Sequence, residues 1–482
     1  MQFSNRLINY FLAVFTVAVV SFLIYLTYIS SGYEGGMDTY NHYLISRHSW
    51  QNHELFLDYW GKPIYNIIAS PFAQFGIDGM VVLNILCLVL SAFLSYKIAQ
   101  ELKFKHAYLA YIFTLLSPVF LDNTISSLTE PLCALLVILS LYFLVKEKYN
   151  AGAIVAGLLP FARSEGFIIL FVVFIYLLFQ HRNIKTFLLL GLGSLIFNTL
   201  GWIITGQMFW IFTENPYINF ELSGRNVCGN GSPFHYLIAG HYTFGKIASF
   251  LLAFGIGLFG INFLRNLKKP DFKMGLITAS FLLYFMAHAF IWWQGMMGSC
   301  GYVRVMTVIA PLGSIIIVYF LNSFYSFLSN YFGRSGEYAG ILFSIILIAN
   351  ALYVPYRYYE YKYPLTISDE QQQYVILNDW YQQQDFDDRT KVFLYPYFSI
   401  LADISPYDQS QHLDFWKSSL QWTKKGDILI WDKHFGPNEC GTPLDTMLAR
   451  KDWQLIKSVI PETPIPTLNS DSFEIHVFEK IQ

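Results

Sequence analysis

The sequence predicts a polytopic α-helical membrane protein of about eleven transmembrane helices, with a small soluble α/β domain at its C-terminal end. Three observations lead there. Hydrophobic residues make up 54% of the 482 residues and charged residues only 13%, about half the charge of an ordinary soluble domain. The charge is unevenly spread: residues 365–482 hold 28 charged side chains in 118, about 24%, and residues 1–364 hold 36, about 10%. Apolar runs recur at the length that spans a bilayer, about 20 residues at 1.5 Å each. The chain therefore divides into a membrane region, 1–364, and a water-soluble, acidic domain, 365–482. Its 34 Tyr, 44 Phe and 11 Trp exclude a disordered chain or a coiled coil, and its net charge of −2 excludes a broadly basic nucleic-acid binder.

The apolar runs are taken in order. They cover about 9–29, 78–99, 107–121, 128–145, 151–164, 166–180, 186–205, 245–264, 274–292, 304–323 and 338–355. The first is too long for a signal-peptide core and no small-residue cleavage site follows it. Segments 107–121, 151–164 and 166–180 are short for a full crossing. Loops on one side carry Arg6, Lys97, Lys103, Lys105, Lys146, Lys148, Arg182, Lys185, Arg265, Lys268, Lys269, Lys273 and Arg334. Loops on the other carry far fewer basic residues, Lys62 and Arg225 among them. The basic side is expected to be cytoplasmic. Eleven crossings then put the N-terminus inside and the C-terminal domain outside the plasma (inner) membrane.

The soluble domain reads as a small α/β unit. Candidate strands are Lys391–Tyr395, Asp427–Trp431, Trp453–Val459 and Phe473–Phe478, rich in β-branched and aromatic residues. Glu370–Gln384 reads as a helix. The domain has no glycine-rich phosphate loop and no nucleophile elbow. Asp432, His434 and Glu439 form a polar cluster after a strand. Cys87 and Cys133 lie in apolar helices. Cys228, Cys300 and Cys440 fall on the outer side, where an oxidising compartment permits a Cys228–Cys300 disulfide, a pairing the sequence leaves open.

Polar residues gather in the outer loops. Loop 31–77 holds Glu34, Asp38, His42, Asp58, Trp60 and Lys62, and loop 206–244 holds Glu214, Glu221, Arg225, His235 and His241. Irregular polar backbone at membrane depth survives only where it is buried in protein or lines a cavity. Inside the spans, ionisable groups are costly and mark function. Glu130 opens the fourth segment, Arg163 and Glu165 separate the fifth and sixth, His288 ends the ninth, and Arg304 opens the tenth. All five fall at the outer boundary, from different helices at one depth.

That set suits a lipid-linked phosphate. A guanidinium fork matches phosphate oxygens, and an outer-loop carboxylate suits a general base acting on an acceptor hydroxyl. Asp38 is the expected base, and Arg163 and Arg304 the expected phosphate ligands. Glu130, Glu165, His288, His42 and Tyr302 complete the candidate site. His42 and Asp38 are too few for a metal site, so no metal and no cofactor are expected.

These residues resemble the GT-C superfamily of integral-membrane glycosyltransferases. Asp38, in Gly35-Gly36-Met37-Asp38-Thr39-Tyr40, matches the acidic residue of that family's first outer loop. Leu128-Thr129-Glu130-Pro131-Leu132, followed by Ala162-Arg163-Ser164-Glu165-Gly166, is similar to a Thr-Glu-Pro-Leu and Arg-Pro-Glu-Gly pattern of bacterial members, with Ser164 in place of the common proline. Gly301-Tyr302-Val303-Arg304 with Pro311 is similar to a late arginine segment. The resemblance covers about residues 1–325. The paired acid of protein mannosyltransferases is absent, because Thr39 follows Asp38. The resemblance implies a polyprenyl-phosphate-monosaccharide donor, with mannose the first choice, and an inverting transfer. The acceptor it implies is a protein, lipid or polysaccharide, with membrane lipids as surroundings and no nucleic acid. The competing readings are a transporter or flippase of lipid-linked glycans and a non-catalytic assembly protein. A transporter expects charges along a mid-membrane path or internal repeats, and the sequence has neither.

Overall fold

The apolar runs become helices wherever no proline interrupts them. In the computed structural model, residues 5–217, 228–416, 418–467 and 472–482 are described. The N-terminal region comprises α1 (Asn5–Ile29), α2 (Met37–His48), α3 (Pro63–Ala73), α4 (Gly76–Glu101), α5 (Tyr108–Leu115), α6 (Pro118–Thr124), α7 (Glu130–Val145), α8 (Tyr149–Ala162), α9 (Gly166–Gln180), α10 (Ile184–Leu190) and α11 (Leu192–Thr205). After short turns come α12 (Lys246–Arg265), α13 (Phe272–Gln294), a 3-10 turn at Val303–Ile309 and α14 (Ala310–Lys362). Among the described residues, α1, α4, α12, α13 and the Val303–Arg357 stretch are each long and apolar enough to cross a membrane. The pair α10 and α11 passes the same test together, bent by 43°. Helices α7, α8 and α9 are apolar but shorter. The chain is an integral membrane protein.

One of the expected spans takes another form. The run 107–121 is not one helix: Pro118 has no N–H to donate and holds Ser117 extended (φ −62°, ψ 117°), so α5 ends and α6 starts afresh. The runs 304–323 and 338–355 stay separate within α14, which breaks between them at Gly333 (φ 56°), and the first of them opens with the 3-10 turn. Helices α1 and α12 leave most of their apolar surface uncovered, as lipid-facing helices do, whereas α4 and the start of α14 are mostly buried. The core joins α4 to α5 and α7, α7 to α8, and α12 to α14. At one end Lys273 pairs with Glu147 at 2.8 Å, bringing two of the basic loops together.

The C-terminal region has its own core around Tyr374, Phe393, Phe398, Trp431 and Phe478. It packs α15 (Asp369–Tyr381), which Ser368 and Gln371 start with a reciprocal capping box, and α16 (Pro396–Leu401) with a five-stranded mixed sheet of order β2-β1-β3-β5-β4. The strands are β1 (Lys391–Phe393), β2 (His412–Asp414), β3 (Ile428–Asp432), β4 (Trp453–Val459) and β5 (Ile475–Lys480). Strand β1 runs parallel to β2 and β3; β5 is antiparallel to β3 and β4. The sequence reading missed β2, three residues that carry no alternating pattern.

The two regions meet at α2. Ser31 N donates to Leu365 O at 2.9 Å, and Lys362 Nζ lies 2.5 Å from Glu34 and 2.7 Å from Asp122. Tyr40 packs against Tyr397 of α16, ring centroids 5.0 Å apart and tilted. One face of α2 thus rests on the C-terminal sheet domain, and Asp38 and His42 are left to face the helical region.

Candidate active site

A cavity of about 780 Å³ opens beneath α2 at the end of the helices opposite the Lys273–Glu147 pair. All eight residues of the candidate site line it: Asp38, His42, Glu130, Arg163, Glu165, His288, Tyr302 and Arg304. Each arrives for a local reason. Pro131 at the first turn starts α7 and leaves Glu130 at its N-terminus, almost wholly buried. Gly166 lets α9 pack on the last turn of α8; a Cβ there would sit 2.4 Å from Leu159 O. The tight turn between the two helices aims Arg163 and Glu165 into the cavity. His288 projects from α13, and Arg304 from the 3-10 turn that follows the 295–302 loop.

The charges interlock. Arg163 lies 2.9 Å from Glu130 and 2.8 Å from Glu165, and it donates to Thr129 Oγ1 at 2.8 Å. Arg304 is ion-paired to Asp38, donates to Gly35 O at 3.3 Å, and sits 3.5 Å from Glu130. Glu130 thereby bridges both arginines. His288 Nε2 is 3.8 Å from Glu165. The Arg304 guanidinium stacks 4.5 Å above the Tyr302 ring. Polar atoms of His42, Glu130, Ser164 and His288 are buried without a hydrogen-bond partner among the described residues. Buried polar atoms are normally satisfied, so such a cluster around a cavity points to a ligand.

Lys62 is the residue that sequence reasoning did not assign. It is buried in the cavity wall, where its ammonium donates to Tyr59 O at 2.9 Å and Tyr217 Oη at 3.4 Å. Among the described residues no carboxylate pairs with it. Burial above all pulls its pKa down to about 7, opposed by Glu165 and, less, by Asp58, with Arg163 adding to the fall. His42 stacks on Trp60 at 4.5 Å and meets the edge of Tyr65 at 5.6 Å. Burial and the nearby cations Lys62, Arg304 and Arg163 keep it well below the usual histidine range, so its ring is neutral. No sequence signal separates Lys62 from Arg47, which instead braces α3 through Gln74. Glu221 and Arg225 lie outside the described residues. Glu214 accepts from Gln207 at 2.6 Å and is absent from the cavity wall.

The cavity lining is mixed: Asp38, Lys62, Arg163 and Arg304 contribute charge, and Phe167, Ile168, Ile211, Phe212, Ala287 and Ile291 contribute apolar surface. Among the described residues no three His, Cys, Asp or Glu side chains converge as metal ligands. In the C-terminal sheet domain, Asp432 accepts from Tyr374 and from the backbone of His434 and Phe435, which is a turn-capping role.

The chain is similar to ArnT from Cupriavidus metallidurans bound to undecaprenyl phosphate, with a TM-score of 0.61 at 11% identity over 96% of this chain and 98% of that one. Against ArnT in the apo state the TM-score is 0.55 at 13% identity, over 97% of both chains. The Archaeoglobus fulgidus oligosaccharyltransferase, tethered to an acceptor peptide containing the NVT sequon, gives 0.51 at 12% identity over 87% of this chain and 69% of that one. These are GT-C glycosyltransferases. The chain has the GT-C fold. No protein-family model and no curated protein matches the sequence. At this level of identity the likeness is one of fold, and the chemistry rests on the residues of the cavity. Within this fold, α2 supplies the Asp38 carboxylate, and the end of α8 and the 3-10 turn supply the Arg163 and Arg304 guanidinium groups.

Proposed function

We propose that the protein is a membrane glycosyltransferase that moves a monosaccharide from a polyprenyl-phosphate donor to an acceptor hydroxyl outside the cytoplasm. The observation that carries this reading is a cavity joining the Asp38 carboxylate, the cations Lys62, Arg163 and Arg304, and apolar lining. The apolar lining takes the prenyl chain. Lys62, Arg163 and Arg304 hold the phosphate, and Asp38 is the general base.

In the reaction the acceptor oxygen attacks the anomeric carbon as Asp38 takes the hydroxyl proton, and the bond from that carbon to the phosphate oxygen breaks. Polyprenyl phosphate leaves with the bonding pair and one more negative charge than it carried as a diester. Preorganised cations in a partly dry site stabilise that growing charge. In-line attack inverts the anomeric centre. Neutral His42, stacked on Trp60, and His288 offer hydrogen bonds to sugar hydroxyls. Mannose is the first sugar to try, and protein, lipid and polysaccharide acceptors remain to be compared.

The outer orientation rests on the basic loops at the opposite end and on the disulfide between Cys228 and Cys300, a bond of oxidising compartments. A cavity at one end of the helices, with its ionisable groups confined there, favours an enzyme over a flippase. The test is transfer by the purified protein from a panel of polyprenyl-phosphate sugars. Wild-type turnover lost by about 10²–10⁴-fold in Asp38→Asn supports the base assignment; full turnover in that variant removes it.

A further inference from the structure

Arg304 is delivered by an intrinsically loose loop. Residues 295–302 form no helix or strand, and Gly295, Met297, Gly298 and Gly301 all have left-handed backbone. A segment this rich in glycine has much freedom to lose on ordering. Yet Met297, Cys300 and Tyr302 line the cavity, and Arg304 must meet Asp38 within it.

The segment starting at Cys228 is tied to this loop and to the adjoining end of α13 by four contacts. Cys228 and Cys300 form a disulfide across 72 residues, with Cα atoms 5.1 Å apart. Gly231 N donates to Trp292 O at 3.1 Å. His235 Nε2 donates to Gly301 O at 2.7 Å. The Trp292 indole fills the space between two glycines: an added Cβ would sit 1.9 Å from it at Gly231 and 2.7 Å at Gly301. The segment is itself anchored through Tyr236, which is buried against Phe285 and His288 of α13.

We propose that this cross-linked clamp positions Arg304, with the Cys228–Cys300 disulfide and His235 as positioning residues for the transfer reaction. The inference rests on the function proposed above. Cys300 is four residues from Arg304, and releasing it frees the loop to carry the guanidinium away from Asp38 and from the donor phosphate. Displacing a catalytic constellation by about 1 Å costs about 100-fold in rate.

The test uses the full-length protein in detergent with a polyprenyl-phosphate-mannose donor. It compares wild type, the Cys228→Ser/Cys300→Ser double variant, His235→Ala and His235→Gln, each with and without a phosphine reductant. Turnover is read beside amide hydrogen exchange in residues 296–304. The double variant and reduced wild type are expected to lose about 10- to 100-fold in kcat/KM for the donor, with exchange accelerated in 296–304 and little changed in α4 and α7. The reductant should leave the double variant where it was. His235→Gln, which keeps a donor for Gly301 O, should recover much of what His235→Ala loses. Unchanged kcat/KM and exchange in reduced wild type would overturn the proposal, as would a loss in which exchange rises throughout the protein. Should the double variant fail to fold, reduced wild type and the two His235 variants carry the same test. If wild type transfers from no lipid-linked donor, the functional reading fails, and the exchange measurement still decides whether the disulfide orders the loop.

Discussion

Lys62 makes the donor affinity pH-dependent in a calculable way. Its ammonium is buried among Tyr59, Tyr217 and Arg163, and its pKa lies at about 7 rather than in the usual lysine range. Below pH 7 it is charged and able to hold a phosphate; above pH 7 the free protein loses the proton. At pH 8.5 about 3% of the molecules keep it, so the apparent donor affinity should be weaker by about 30-fold than at low pH. The donor is a phosphodiester and carries the same single charge throughout, so the slope belongs to the protein. Equilibrium binding of a short-chain prenyl-phosphate sugar between pH 6 and 8.5 measures it. Lys62→Arg should flatten the profile, because a guanidinium stays charged. Lys62→Met should bind weakly at every pH, by about 10- to 150-fold relative to wild type at pH 6, the worth of a charged hydrogen bond. A flat wild-type profile, or the same slope in Lys62→Arg, refutes the assignment of Lys62 to the phosphate.

Two further outcomes follow from the charge network. Arg163→Ala takes the nearer of two arginines from buried Glu130 and leaves half-buried Glu165 without its arginine, which should destabilise the fold by about 3 kcal/mol. Adding Glu165→Gln should restore part of that loss, and an unchanged melting temperature in the single variant contradicts the pairing. Glu34 is held up to about 7 by burial and by Asp122, against Lys362. A carboxyl raised in this way binds its proton more tightly in the folded state. Its contribution is therefore present below about pH 4.5 and is lost as pH rises through about 7. Melting temperature measured from pH 5 to 8 should show this fall in wild type and a shallower one in Glu34→Gln; equal slopes would discount it.

The fold class was legible because bilayer solvation writes itself into composition: 20-residue apolar runs have few other uses. The interruptions were harder to read. Ser117-Pro118 divides one run, and Gly191 bends the 186–205 run by 43°, through backbone geometry that an average over a window conceals. Strand β2 is only three residues, His412–Asp414, and owes its existence to pairing with β1. The site was legible as an anomaly, since Glu130, Arg163, Glu165, His288 and Arg304 are ionisable groups in apolar surroundings, and all five reach one cavity. Lys62 was not legible. It sits in a polar loop of the kind where a lysine is normally solvated, and only the packing of Tyr59 and Tyr217 around it turns it into a buried cation. The Cys228–Cys300 pair could be proposed from sidedness alone, while its setting beside Trp292 and Gly301 depends on the tertiary fold.

The most direct measurement is transfer by purified wild type and Asp38→Asn from a panel of polyprenyl-phosphate sugars, with nucleotide sugars as controls and the product read by mass spectrometry. The account predicts that wild type moves one monosaccharide from a lipid-phosphate donor with inversion. Asp38→Asn should still bind that donor but turn it over about 10²–10⁴-fold more slowly. Transfer from a nucleotide sugar in place of the lipid-linked donors, or equal turnover by the two proteins, would contradict it.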